Sequence, residues 1–353
     1  MIEHVRDLTD KHRAAIRELM SDPAVASRVC GEHDPAWLDI LRQAMHHRTS
    51  VLLDWHGKRL AGALPLALTR SPLFGKHLVS LPYVNRAGLL TADLESGNAL
   101  IDHAARLADE FDARYLELRH HGGVFESQRF THCRSEKHRM VLDLPADPEV
   151  LWSSFKAKVR NQVRKGEQGG LKIRYGRSEL VPGFYSVFAT NMRDLGTPVY
   201  PRKLFLAMLE HLGDRCEIAL VVLEGIPIAG AILVHDRIGD HAISQVPSAS
   251  CLRQFNSLCA NMWMYHQLLE RSVRRGSTQF DFGRSSEGSG TYRFKAQWGA
   301  QPQSTPWQIV LRRGSLNDAR PDDPKNRKRI EQWQKLPVWV TKAIGPTIVR
   351  GIP

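Results

Sequence analysis

LLDWHGKRLAGALPL (residues 52–66) and LVVLEGIPIAGAILV (residues 220–234) lie far apart in the chain, yet each reads as strand, tight turn, strand. Aligning Gly57 with Gly225 also aligns Leu60 with Ile228. The same offset of 168 residues brings Ala61, Gly62 and Ala63 onto Ala229, Gly230 and Ala231. Self-similarity at one offset is the mark of a repeated structural unit, so it is sought before any single element is assigned.

The elements downstream repeat as well. Leu100, Ala104, Leu107 and Phe111 recur at i, i+4, i+7 and i+11, as do Leu258, Met262, Tyr265 and Leu269, so each set makes one apolar helix face. A strand follows each helix, YLELRH from Tyr115 and FDFGRS from Phe280, at an offset of 165. The order helix, antiparallel strands, helix, strand predicts an α/β (α+β) fold. Each copy would be a mixed, largely antiparallel sheet covered by helices, a plan that resembles two tandem GNAT-like domains, although hairpin, helix, strand is also a common order of elements. The expected limits are 1–146 for the first domain and 147–310 for the second. A basic linker and amphipathic tail are expected over 311–353.

The chain has 353 residues, with 49 Lys and Arg against 37 Asp and Glu, a formal charge of +12. That balance suits phosphate-bearing partners: coenzymes, RNA, nucleotide sugars or an anionic membrane face. Five cysteines without a CxxC pair indicate neither a disulfide framework nor a zinc knuckle. The start, MIEHVRDLTDKHR, has no apolar h-region, and the most apolar window, 218–234, contains Glu224. A cytoplasmic protein is expected. The sixteen histidines include no HExxH, and the pairs His46, His47 and His120, His121 point their members apart, so no metal is expected.

Between the copies a helix is expected over 148–168, with Pro148 at its first position and Gly169 and Gly170 at its end. At 100° per residue Trp152, Phe155, Val159 and Val163 share one stripe. Lys156, Arg160 and Arg164 form the adjacent stripe, with Lys158 and Lys165 further round. Five cations in ten residues without an acid read either as a solvated flank or as a phosphate-holding surface. Gly166 and the terminal glycines would let a polyanion approach closely.

The densest concentration of chemistry is FDFGRSSEGSGTYRFKAQWGA, residues 280–300. Together with AKVRNQVRKGEQGGL (157–171) and NMRDLGTPVYPRKLF (191–205), it resembles the FemAB-related, GNAT-like acyltransferases, and most closely the branch associated with PEP-CTERM/exosortase and exopolysaccharide loci. The resemblance spans roughly residues 50–305. It implies transfer of an acyl or aminoacyl group to an amine of a cell-envelope or exopolysaccharide precursor, with acyl-CoA or aminoacyl-tRNA as donor and no tightly bound cofactor. It also places a functionally important lysine at Lys295, where a fixed cation would stabilise developing negative charge or hold a donor phosphate.

An ordinary GNAT domain cradles the CoA pyrophosphate in a glycine-containing loop ahead of a helix. In its place stands LRQFNSL, residues 252–258, where Arg253 offers a cation and Asn256 a helix cap but no glycine opens the backbone. Asp281 would accept a proton or orient the amine, or else pair with Arg284; Tyr292 would protonate the leaving group, or else pack on a neighbouring strand. Gly283, Gly288 and Gly290 around Glu287 read as a mobile connection or a plain surface loop. Asn191, Asp194 and Tyr200 are expected on an acceptor-binding loop. LPYVNRAGLL (81–90) resembles a first-domain loop of the family, with Arg86 and Ala87 where an aromatic and a glycine are expected. Cys251 has no evident histidine partner and reads as a poor nucleophile.

The tail from residue 333 to 350 carries Trp333, Leu336, Val338, Trp339, Val340 and Ile344 with Lys335, Lys342 and Arg350. It would lie at the anionic inner face of a membrane or pack on its own domain. Two rival functions stay open at this stage: a CoA-dependent N-acyltransferase acting on an amino sugar, and a non-catalytic GNAT-like protein that binds RNA or an envelope assembly.

Overall fold

The computed structural model describes residues 1–72, 74–239, 241–315 and 327–352. Of the tail expected from residue 311, the part at 316–326 lies outside the described residues. The chain forms two compact units, each built on one sheet. The first comprises residues 1–137, 304–324 and 347–353, and the second residues 138–303 and 325–346.

The first unit contains β1 (Ile2–Val5), α1 (Asp10–Met20), α2 (Ala36–Met45), β2 (Arg48–His56), β3 (Arg59–Ser71), β4 (Gly75–Val79), β5 (Leu90–Thr91), α3 (Leu94–Glu110), β6 (Tyr115–Arg119), β7 (His132–Arg134) and, from far downstream, β15 (Trp307–Leu311). Its sheet runs β1-β2-β3-β4-β6-β15-β7, with β5 added alongside β3. The second unit contains β8 (Lys137–Asp143), α4 (Pro148–Ser154), α5 (Ala157–Gln168), β9 (Lys172–Gly176), α6 (Val181–Leu195), α7 (Arg202–Leu212), β10 (Cys216–Leu223), β11 (Ile226–Ile238), β12 (His241–Cys251), α8 (Ala260–Arg274), β13 (Gln279–Ser286), α9 (Gly290–Ala296) and β14 (Gln301–Ser304). Its sheet runs β14-β8-β13-β12-β11-β10-β9. Downstream lie α10 (Arg327–Gln334) and α11 (Val338–Val349).

The tandem, mixed-sheet architecture expected from the repeat is therefore present, with two differences. The first concerns the boundary. It falls at 137/138 rather than 146/147, because β8 joins the second sheet, while β15 returns to pair antiparallel with both β6 and β7. Strand pairing across some 190 residues of chain leaves no local trace in the sequence.

The second concerns register. In the first unit the even-numbered Leu64, Leu66 and Leu68 of β3 face α3, and a Cβ added at Gly62 would press on Ser96 and Leu100 of that helix. In the second unit it is the odd-numbered Ala229, Ala231 and Leu233 of β11 that share a core with α8. A Cβ on Gly230 would instead point at Phe184 of α6, 3.1 Å from its ring. The offset of 168 thus puts equivalent letters on opposite faces, since a one-residue slip in a strand inverts every side chain. The units repeat in topology, while the Ala-Gly-Ala match is one residue out of structural register.

Both hairpins close in two residues. Glu224 and Gly225 connect β10 to β11 with φ of 50° and 84°, the pair of positive values that a type I′ turn requires. Of the expected helix faces, Leu100, Ala104 and Leu107 are buried in α3, and Met262, Tyr265 and Leu269 in α8; Leu258 precedes α8 in a 3-10 turn.

The helix expected over 148–168 is two helices. Phe155 and Lys156 are extended, with ψ of 143° and 149°. The cause is local: Ser153 and Ser154 turn their hydroxyls back onto the carbonyls of Val150 and Leu151, 2.9 and 2.7 Å away, which competes with continuation of the helix.

Candidate active site

In the second unit β12 and β13 run parallel, but their pairing lasts only three residues, Ile243 with Gln279, Ser244 with Phe280 and Gln245 with Asp281. β12 then continues to Cys251 and β13 to Ser286 without pairing to one another. Two features part them. A bulge lets Val246 and Pro247 of β12 stand opposite the single Leu233 of β11, and Pro247 removes one backbone donor at the fork. On the other side Gly283 adopts a φ of 79°, which kinks β13 without ending it. The result is a V whose two edges carry backbone groups that no sheet strand takes.

The sequence candidates distribute around this V unevenly. Asp281 stands at its apex, the last residue of β13 paired with β12. It is buried, accepts from the Gly283 amide at 2.7 Å, and lies 3.6 Å from Arg139 Nε. Arg139, on β8, is also buried and donates to Gln303 Oε1 at 2.6 Å. Sequence reading missed it, because nothing near it in the chain marks a partner 142 residues away.

Lys295 lies on α9, a helix the sequence reading had not assigned, capped by the hydroxyl of Ser289. Its Nζ donates to the carbonyls of Gly283 and Arg284, both at 3.1 Å. Burial pulls its pKa down to about 8 and the Asp281 charge opposes that fall. Arg284 is on β13 beside these carbonyls. Tyr292, on the first turn of α9, packs at the edge of the α5–α8 core. Glu287 is exposed in the turn between β13 and α9. Of the glycines around it, Gly283 belongs to the strand and Gly290 begins the helix, so the connection is shorter than expected.

The segment that precedes α8 is a 3-10 turn, Arg253–Leu258. Arg253 donates to the Asp194 carbonyl at 3.0 Å. Asn256 does not cap α8: the N-cap is Cys259, held at φ 54°, and no side chain caps the helix. The Cys259 side chain thus leaves the first turn of α8 uncapped, and the Cys251 thiol lies against the Asn261 amide there. Cys251, at the end of β12, has its thiol pushed up to about 11 by burial, which leaves it protonated at neutral pH.

The cations of α5 split by role. Arg160 donates to the Ser153 and Phe155 carbonyls, closing the end of α4, and Arg164 stacks over Trp152 at 5.5 Å. Both have partners within the unit, and Arg164 is also exposed. Lys156, at the N-cap, and Lys165 are exposed. Lys165 is the better placed, one turn from Gly169, which lies beside Leu258 at the α8 corner. Gly166 is no opening for a ligand. A Cβ there would be 2.5 Å from Trp263 Cβ, so it permits the close crossing of α5 and α8.

Asn191, Asp194 and Tyr200 do not share a loop. Asn191 and Asp194 are in α6, which ends at Gly196. Asn191 Nδ2 donates to Ser250 Oγ on the far arm of the V at 3.1 Å, whereas Tyr200 stacks on Phe188 and belongs to the α6–α7 packing.

A second polar chain crosses the same sheet: Ser244 Oγ is 2.6 Å from His235 Nδ1, and His235 Nε2 is 2.9 Å from Glu217 Oε1. It has the order of a nucleophile triad, but Ser244 is fully buried and shares its hydroxyl with Ser277, so it ties strands together.

The first unit has a corresponding parallel pair, Leu78 with Leu116 and Val79 with Glu117. There the chain fills its own fork. After β4 the loop 80–89 folds against β6: Ser80 and Ala87 amides donate to the Glu117 and Arg119 carbonyls, and Arg119 Nη1 donates to Val84 O at 2.8 Å. A Cβ on Gly88 would strike His120 and the Arg119 carbonyl within 3 Å, so the glycine serves this close approach. Arg86 is buried against Glu32 rather than offered to an acceptor.

Residues 153–296, most of the second unit, match the family model described as an acetyltransferase (GNAT) domain. No curated protein sequence matches the chain. Among solved structures it is similar to FemX, with 15% identity and a TM-score of 0.64, over 88% of this chain and 97% of that one. It is similar to a tandem GNAT protein from the clavulanic acid biosynthesis pathway, with 15% identity and a TM-score of 0.57, over 89% and 100%. It is also similar to L-PGS from Bacillus licheniformis, with 12% identity and a TM-score of 0.55, over 94% and 98%. At such identities the likeness concerns the fold: two tandem GNAT-like domains, of which the second carries the family match.

Proposed function

We propose that the second unit is an N-acyl- or aminoacyltransferase that moves an acyl group from a thioester or ester donor to an amine. The observation that carries this reading is the parting of β12 and β13 beyond Gln245 and Asp281, next to a helix whose N-cap residue, Cys259, supplies no side-chain cap. A donor lying in the V completes the sheet with its own amides, and an acyl oxygen there meets fixed backbone donors as charge develops on it. The α8 corner, with Arg253 and Lys165 nearby, takes the donor's phosphates.

The attacking amine forms the C–N bond, the C–S or C–O bond to the carrier breaks, and one proton leaves the nitrogen for the departing group. Lys295, with its pKa pulled down to about 8, supplies charge or a proton at the fork. Tyr292 is the second proton donor. Asp281, locked between Arg139 and Gly283, orients the fork and holds Lys295 charged. The acceptor is an amine of a cell-envelope or exopolysaccharide precursor, a reading that rests on the motif resemblance at 157–171, 191–205 and 280–300.

Thermal unfolding of the purified protein at fixed ionic strength, titrated with acetyl-CoA and longer acyl-CoAs, tests the donor. A ligand at about 100 times its dissociation constant stabilises the fold by about 2.7 kcal/mol. A saturable rise that weakens in Arg253→Ala identifies a CoA ester. A flat response to every thioester, with transfer from charged tRNA, identifies an aminoacyl donor; failure of both rejects the transferase reading.

A further inference from the structure

The C-terminal arm has two faces with different chemistry. Within the second unit one face is fixed: a Cβ on Gly196 would press on Ile330, Arg193 Nη1 donates to Leu336 O and Gln334 Nε2 to Asp194 O, both at 3.0 Å, Lys342 Nζ lies over the Tyr185 ring, and Thr341 and Gly345 are buried. Of the two dispositions open in the sequence, packing on its own domain accounts for this face. The remaining exposed surface holds Trp339, 73% exposed, with Ala343 one turn on, and Ile344, 43% exposed, about 100° further round from Ala343. Lys328, Arg329 and Lys335 are exposed on the preceding stretch. From Arg327 to Gly345 there are five cations against the single Glu331, which pairs with Arg327, and no acid follows Glu331.

An indole ring held out in water beside lysines is unfavourable for a helix whose opposite face is already anchored. The same arrangement is favourable at a headgroup layer, where the ring sits at the boundary and the cations meet anionic lipid. At twelve residues α11 is too short to span, and no helix among the described residues is long and apolar enough to cross a membrane.

We propose that this arm docks the second unit on the surface of an anionic bilayer, with Trp339 and Ile344 inserted at the headgroup boundary and Lys328, Arg329 and Lys335 paired with lipid phosphates. RNA would satisfy the cations, but it offers nothing to Ile344. The docking site and the α8 corner are tied through one group: the Asp194 carbonyl accepts from both Gln334 of the arm and Arg253 of the corner. Bilayer binding thus fixes the unit that carries the V at the surface, although the inference does not depend on any transfer taking place.

The full chain is sedimented with vesicles of phosphatidylcholine alone and of phosphatidylcholine with phosphatidylglycerol. The expected result is binding to the anionic vesicles only, weakened by added salt. Reversing two cations in Lys328→Glu/Arg329→Glu lowers the partition coefficient at least about tenfold. Trp339→Ala weakens it several-fold, and brominated acyl chains quench less tryptophan emission in Trp339→Phe than in the parent chain. Unchanged melting of these variants establishes that they fold. Absence of binding to anionic vesicles, binding indifferent to both the charge and the tryptophan variants, or binding of RNA by the arm with vesicles ignored would each overturn the proposal.

Discussion

Arg139 Nε stands 3.6 Å from Asp281 Oδ2, and both side chains are 4% exposed. A charge pair this deep is costly to half-remove, because the remaining partner is left buried without its counter-charge. Asp281→Asn is therefore expected to destabilise the second unit by about 3–5 kcal/mol in urea unfolding. It also removes the influence that opposes the fall of the Lys295 pKa, so the alkaline limb of any transfer activity moves to lower pH. An unfolding midpoint and a pH profile that both stay in place would show that the pair is not coupled to the fork.

Lys295 gives a second pH signature. Its folded pKa, about 8, lies below its ordinary value of 10.5. Below pH 8 both folded and unfolded chains hold the proton, and the full cost of burying the ammonium is present. Between about 8 and 10.5 the unfolded chain binds more protons, so stability rises with pH through this window. Lys295→Met abolishes that rise. If the ammonium supports charge in the transition state, the same variant lowers kcat by about 100-fold with little change in KM. An unaltered kcat would remove Lys295 from the mechanism and leave it holding the Gly283 and Arg284 carbonyls.

The first unit is expected to be the acid-labile one. Burial, reinforced by neighbouring arginines, pulls His33, His47 and His77 down to about 4, and His120 and His121 to about 3. From pH 6.5 down to about 4 the unfolded chain takes up protons that the folded unit refuses, so stability falls as pH falls. Amide exchange followed from pH 7 to pH 4.5 should show protection lost from β2, β4 and β6 before β10, β11 and β13. His120→Phe, which keeps a ring at that position, should blunt the loss.

The parts of the fold that were legible in the sequence are those whose signal is local and periodic. The hairpins follow from Gly57 and Gly225, and the α3 and α8 faces from apolar spacing. The register of the repeat was not legible, because Ala-Gly-Ala has small residues on both faces and reads alike after a slip of one. The break at Phe155 was concealed by a stripe that runs through it. At the site, the glycine-rich stretch drew attention to Asp281, and the family resemblance to Lys295. Arg139 did not, since its role exists only once β8 lies beside β13. For Arg160 and Arg164 periodicity shows which face a residue occupies but not which carbonyl or ring it meets there.

Gly166 gives a prediction about packing. The space for its missing Cβ is filled by Trp263, whose Cβ would be 2.5 Å away. Gly166→Ala gains helix propensity of about 1 kcal/mol, yet it must push α5 off α8, and overpacking of this kind costs about 1–3 kcal/mol. Net destabilisation in urea unfolding is expected.

The loop 80–89 bears on how many donors one chain binds. In the second unit the edge of β13 beyond Asp281 is left without a strand partner from β12, whereas in the first the equivalent edge of β6 already accepts from Ser80 and Ala87. A ligand entering that fork would have to displace a segment whose Gly88 is seated against His120 and whose Arg86 is paired with Glu32 inside the unit. Isothermal titration with the donor identified by thermal shift should therefore give one site per chain. Arg253→Ala should weaken that one site without exposing another. Gly88→Val, which unseats the loop, should destabilise the first unit while leaving the donor affinity of the second unchanged. Two equivalent sites per chain would mean that the loop leaves the fork in solution.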